Sequence, residues 1–128
     1  MGAGSVITAW RASRRYGRVL HLRKRGHTAD AFTAASDGLA RVLNSGARPT
    51  PYLMTCALSL ADMCRILAQE LGRSSSVTTC LRQTIDYWEH AIREDPLLGE
   101  FQIARDYIAL FRAHLGGLNS GSRTNDLK

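Results

Sequence analysis

The sequence contains no apolar run approaching the roughly 18 residues that a membrane-spanning helix requires. It has only three prolines, and its abundant leucine and alanine favour helix over strand. No segment alternates apolar and polar residues over a useful length, so no sheet is expected. Cys56, Cys64 and Cys80 are odd in number and form no C-x-x-C pair, which argues against a secreted disulfide framework. All three fall on or beside apolar stripes and read as buried thiols in a reducing compartment. His21, His27, His90 and His114 build neither H-E-x-x-H nor a zinc spacing. No G-x-S-x-G surrounds Ser74-Ser75-Ser76, and no glycine-rich loop follows a strand to cradle a phosphate. His90 and Glu94 share a helix face at i, i+4 but read as a solvated surface pair. The expectation is therefore a protein without catalytic residues, metal or cofactor.

Acid is missing from one region only. Residues 1–29 carry seven basic side chains (Arg11, Arg14, Arg15, Arg18, Arg23, Lys24 and Arg25) and no carboxylate. Residues 30–128 carry ten basic and eleven acidic ones. The net charge of +6 thus belongs to the N-terminal segment. Arg11, Arg14, Arg15, Arg18 and Arg25 form a candidate basic patch, with Trp10 and Tyr16 as nearby aromatics. Its readings are a solvated helix face, a site for an acidic protein, or a sequence-blind contact with nucleic acid or anionic membrane. An Arg-rich, acid-free start also fits an organelle-targeting segment, set against a cytoplasmic location for the chain. Gly2 suggests myristoylation, but the motif wants Ser or Thr where Val6 stands.

Apolar spacing predicts about five helices with short connections, hence antiparallel neighbours. The first spans roughly residues 5–25 and ends at Gly26; Ile7, Trp10, Tyr16, Val19, Leu20 and Leu22 keep helical spacing only loosely. The second starts near Thr28, a plausible cap, and carries Phe32, Ala35, Leu39 and Val42 on one face. Thr50-Pro51 opens a third helix whose apolar residues cover much of its circumference, the pattern of a central helix. Gly72 ends it. Ser74-Ser75-Ser76 offers caps for the fourth helix, and Val77, Leu81, Thr84, Ile85, Trp88, Ala91 and Ile92 make its stripe. Asp95-Pro96 is expected to start the fifth, with a stripe of Leu97, Phe101, Ala104, Ile108, Phe111 and Leu115. Gly116-Gly117 closes it, leaving one domain over residues 1–117 and a flexible polar tail over 118–128.

Two stretches resemble the second helix of a tetratricopeptide repeat. Gly26, Ala31, Gly38 and Leu39 occupy the family's turn glycine, small residue and small-plus-large pair. Trp88, Ala91, Ile92, Asp95 and Pro96 match its aromatic, Ala-Leu and Asp-Pro places. Arg15 and Arg18 depart from it, standing where large apolar residues belong, and the second hairpin is longer than the consensus. The resemblance implies an all-α fold of antiparallel hairpins, a fragment of a right-handed superhelix. It also implies an adaptor, scaffold or chaperone-like module that holds a peptide or helix in a groove. By the family's placement, Tyr16, Leu20, Arg23, Lys24, Asp62, Ile66 and Gln69 would line that groove. Separately, Ile103, Tyr107 and Leu110 form a second apolar stripe on the last helix, a candidate interface for a partner or a second copy.

Overall fold

The structure is a computed structural model that describes the backbone of residues 2–126 and the side chains of residues 4–118. Among the described residues it contains helices and turns and no strand, as the sequence leads one to expect. Five α-helices follow in order: α1 (Gly2–Lys24), α2 (Thr28–Leu43), α3 (Pro51–Glu70), α4 (Thr78–Glu94) and α5 (Gln102–Asp126). Short 3-10 turns at Ser74–Val77 and Pro96–Glu100 precede α4 and α5.

Helix α3 is central. It buries eleven side chains, among them Leu53, Leu58, Leu60 and Leu67, and it contacts each of the other four helices. Burying a leucine of this kind stabilises the fold by about 1.5–3 kcal/mol. Around it gather Leu39 and Val42 from α2, Leu81 and Ile85 from α4, and Ile108 and Phe111 from α5 in one apolar core. None of these helices is long and apolar enough to cross a membrane.

The helix ends follow local chemistry. Gly26 takes a φ of 81° after α1, letting the His27 N–H donate to the Leu22 carbonyl at 2.9 Å and its own N–H to that of Arg23 at 3.0 Å. Gly72 does the same after α3, where Arg73 donates to Ala68 at 2.7 Å. Both are Schellman endings, which need the left-handed backbone that glycine adopts without penalty. At the start of α3, Thr50 Oγ1 accepts from the Leu53 N–H at 3.1 Å, with Pro51 at the first helical position.

Four expected boundaries move. Ser74, Ser75 and Ser76 build a 3-10 turn rather than cap the fourth helix, which Val77 precedes with no side-chain cap. Thr28 is the first residue of α2 rather than its cap; His27 precedes it, and no side chain caps that end. Asp95 caps the 3-10 turn instead of α5, accepting from the Leu97 N–H at 3.3 Å. That turn ends at Phe101, whose φ of −73° and ψ of 114° are extended, so α5 starts only at Gln102. Leu97 and Phe101 consequently point to solvent, while Leu98 enters the core. Finally, Gly116 and Gly117 lie inside α5, whose helical backbone continues to Asp126. Of the segment read as a polar tail, residues 127–128 and the side chains of 119–128 lie outside the described residues.

The largest difference concerns α1. Its inward residues are Ser5, Ala9, Ala12, Tyr16 and Val19, stepping by four and three along one face. Ile7, Trp10 and Leu20, expected among its apolar positions, are exposed. Small side chains let α1 lie close to α2 and α3. The Ser5 hydroxyl donates to the Arg48 carbonyl at 2.7 Å, tying the start of α1 to the α2–α3 loop and satisfying a buried polar group.

Candidate functional site

The rotation of α1 decides where its charges go. With Ala9 and Ala12 turned inward, Arg11, Arg14, Arg15 and Arg18 fall on the flank facing α2 and bound a groove of about 740 Å³. Arg41 of α2 closes the opposite wall. Thr8, Trp10 and Ser45 line one end and His21 lies further along α1, while Ala12, Gly38 and Val42 make the floor. No carboxylate is among these lining residues. None of the five arginines makes an ion pair within 4 Å among the described residues. Asp37 is the nearest acid along α2, one residue from Gly38 and outside the lining.

Two details shape the groove. A Cβ on Gly38 would lie 2.5 Å from Arg15 Cγ, so the arginine stem crosses α2 where only glycine fits. Arg15 thereby supplies apolar packing with its methylenes while its guanidinium stays at the groove, which is how a cation occupies a position expected to be large and apolar. The Arg14 guanidinium lies 5.0 Å from the centre of the Trp10 ring, a cation–π contact that steadies both side chains. Beyond Trp10, Val6 and Ile7 continue the outer surface of α1; the three are 68%, 49% and 56% exposed for Val6, Ile7 and Trp10 respectively.

The groove expected from the hairpin resemblance lies elsewhere, along the seam of α1 and α3, and its residues Arg23 and Asp62 are ion-paired. Arg23 pairs with Glu70, its Nε donating at 3.0 Å. Asp62 accepts from Arg65 at 2.8 Å, both side chains less than a fifth exposed. Tyr16 is half-buried; burial first, then nearby Tyr107 and Asp62, push its hydroxyl pKa up against the opposing pull of Arg23. Ile66 packs against the core, and Leu20, Lys24 and Gln69 are exposed. None of these seven residues lines the arginine groove or the second concavity described below.

Of the basic patch, Arg25 follows the last residue of α1 and takes no part in the groove. Arg41, Gly38 and His21 belong to the site and were not read as part of it. Gly38 and Arg41 share a face of α2 at i, i+3, a signal that the sequence did contain. The second stripe on α5 divides. Tyr107 stacks on Phe111 with ring centres 6.1 Å apart and holds its hydroxyl 3.5 Å from Ser59 Oγ, so it belongs to the α3–α5 packing. Ile103 and Leu110 remain 53% and 42% exposed.

A second concavity of about 490 Å³ lies between the α2–α3 loop and α4, lined by Val42, Pro49, Tyr87, His90, Ala91 and Leu98 among others. Glu94 and Asp95 sit at its edge. His90 and Glu94 lie 3.9 Å apart and are both largely exposed. Burial pushes the Tyr87 hydroxyl pKa up to about 12, and that hydroxyl has no protein partner among the described residues. Cys56 and Cys64 are buried as expected, whereas Cys80 is half-exposed, and all three are free thiols. A hydrogen bond shared with Cys80 pushes the Cys64 thiol up and holds Cys80 below its usual value, so Cys80 ionises first. Among the described residues, no three His, Cys, Asp or Glu side chains gather as a metal-binding group. No protein-family model matches this chain, and no curated protein or solved structure is significantly similar to it.

Proposed function

We propose that this chain is a binding module that performs no chemistry of its own and receives an anionic segment of a partner in the groove between α1 and α2. One observation carries the reading: five arginines converge on a single groove with no acid in its lining and no ion-pair partner among the described residues. Guanidiniums repel one another and form forked hydrogen bonds with carboxylate or phosphate, so a site of this kind is completed by an anion. The two hairpins are read as irregular tetratricopeptide-like repeats; the close approach at Gly38 and the packing of Trp88, Ala91 and Ile92 against the core support that reading. The proposed site differs from the one the resemblance implies, where Arg23 and Asp62 already hold ion-pair partners in Glu70 and Arg65.

A salt titration with two simple polyanions, a polyglutamate and a single-stranded oligonucleotide, tests the proposal. About five neutralised charges should cost roughly two to three orders of magnitude in affinity between about 50 and 200 mM salt. The double variant Arg14→Glu/Arg18→Glu should abolish the binding of both. Affinity that ignores salt, or that survives this variant, would remove the groove from consideration.

A further inference from the structure

We infer that the occupant of the groove is an acidic helix of a partner protein with an apolar end, which lies along α1. The inference rests on the anionic-groove reading and adds the partner's form. Arg11, Arg14 and Arg18 recur at i, i+3, i+7, with Arg15 beside Arg14. At about 1.5 Å per residue their backbone positions cover roughly 10 Å of the helix axis. A second helix laid alongside has the same rise, so carboxylates at i, i+4 and i+7 come into register with those arginines. The floor is formed by Ala12, Val42 and the Arg15 stem lying over Gly38, so such a helix would rest on methylenes between the guanidiniums.

The apolar ledge separates this occupant from other polyanions. Val6, Ile7 and Trp10 are large apolar side chains left in solvent on the same helix as the arginines, and Trp10 lines the groove itself. A nucleic-acid strand would use Trp10 as a stacking platform and the arginines for phosphate, and would leave Val6 and Ile7 in water. One face of that ring is already held by the Arg14 guanidinium. An anionic lipid surface would draw on exposed cations alone, whereas Arg15 is half-buried, its stem packed against Gly38 where α1 meets α2. An amphipathic acidic helix satisfies both parts at once, its carboxylates on the arginines and its apolar end on the ledge.

The test uses the full chain, a synthetic helical peptide with Glu at i, i+4 and i+7 and two leucines at one end, and a scrambled peptide of identical composition. A single-stranded oligonucleotide and phosphatidylserine vesicles complete the set, all at near-physiological salt. The patterned peptide should bind about tenfold tighter than the scrambled one, a difference of about 1.4 kcal/mol. Val6→Ser/Ile7→Ser, at two exposed positions outside the groove lining, should lower patterned-peptide affinity about tenfold and leave oligonucleotide affinity within about twofold, its fold checked by circular dichroism. Arg14→Glu/Arg18→Glu should abolish the binding of every probe that binds the unsubstituted chain. Tighter binding of the oligonucleotide or the vesicles than of the patterned peptide overturns the inference, as does full peptide affinity in the ledge variant. If the oligonucleotide or vesicles bind and the peptides do not, the anionic groove stands and the acidic helix falls. If no anion binds, the groove reading itself fails.

Discussion

The two flanks of α1 carry the same kind of side chain and treat it in opposite ways. On the α3 side, Arg23 meets Glu70 and, within α3, Arg65 meets Asp62, with Tyr16 packed among them. On the α2 side, Arg11, Arg14, Arg15 and Arg18 face Arg41 with no carboxylate in the groove lining. Charge on the first flank is part of how the hairpins hold together. Charge on the second opposes the fold through mutual repulsion, and it is retained where a ligand can reach it. A count of basic residues along the sequence does not distinguish these two uses; the partner on the neighbouring helix does.

Substitutions can break the comparison, and the largest effect is expected at the hinge between the flanks. Gly38→Val should destabilise by about 1–3 kcal/mol, because a branched side chain meets the Arg15 stem where α1 crosses α2. Urea unfolding measures it, and a loss of a few tenths would mean that the two helices separate freely. Asp62→Ala should cost about 1–2 kcal/mol, since it strands a largely buried Arg65, and should leave polyanion binding unchanged. Smaller and opposite effects are expected from Glu70→Gln and Arg18→Gln. The first should cost at most about 0.5 kcal/mol, as exposed pairs do, without touching anion affinity. The second should leave stability level or slightly raised and lower anion affinity severalfold. If both substitutions changed stability and binding alike, the distinction between the flanks would be lost.

Alkali gives a further expectation. The hydroxyls of Tyr16 and Tyr87 are raised in the folded state, that of Tyr87 to about 12 by burial. A raised folded value means that the native state holds the proton longer than the unfolded chain. The stability contributed is complete below the ordinary tyrosine pKa of about 10 and is lost as pH rises through the folded value. Unfolding free energy should therefore decline above about pH 10, and Tyr16→Phe/Tyr87→Phe should flatten that decline. An identical slope in the double variant would assign the alkaline loss to other groups.

Much of the helical frame was legible because its signals are local. Gly26 and Gly72 end helices through their own backbone freedom, and Thr50-Pro51 starts one through its own hydroxyl and ring. The centrality of α3 follows from apolar residues on most of its surface. The start of α5 was misread because an Asp-Pro pair opens a 3-10 turn as readily as an α-helix, and nothing local says which. The candidate site was half legible. Arg11, Arg14, Arg15 and Arg18 are plain in the sequence, but the direction they face depends on which side of α1 is buried. That side is marked by Ser5, Ala9 and Ala12, whose small size enables close packing and hides them from any search for large apolar residues. That Arg41 shares a face of α2 with Gly38 is legible in the sequence, but that this face meets α1 is tertiary information.

The unpaired arginines also make the groove a thermodynamic coupling between ligand and fold. Whatever anion neutralises them binds the native chain better than the unfolded one, where the same charges are far apart. A ligand at a hundred times its dissociation constant would then add about 2.7 kcal/mol to stability and raise the melting temperature by several degrees. The gain would concentrate in α1 and α2, so amide exchange should slow there first and leave α4 and α5 nearly unchanged. The hairpin that carries the charge thereby reports its own occupancy, and heat alone can be used to screen for what fills it.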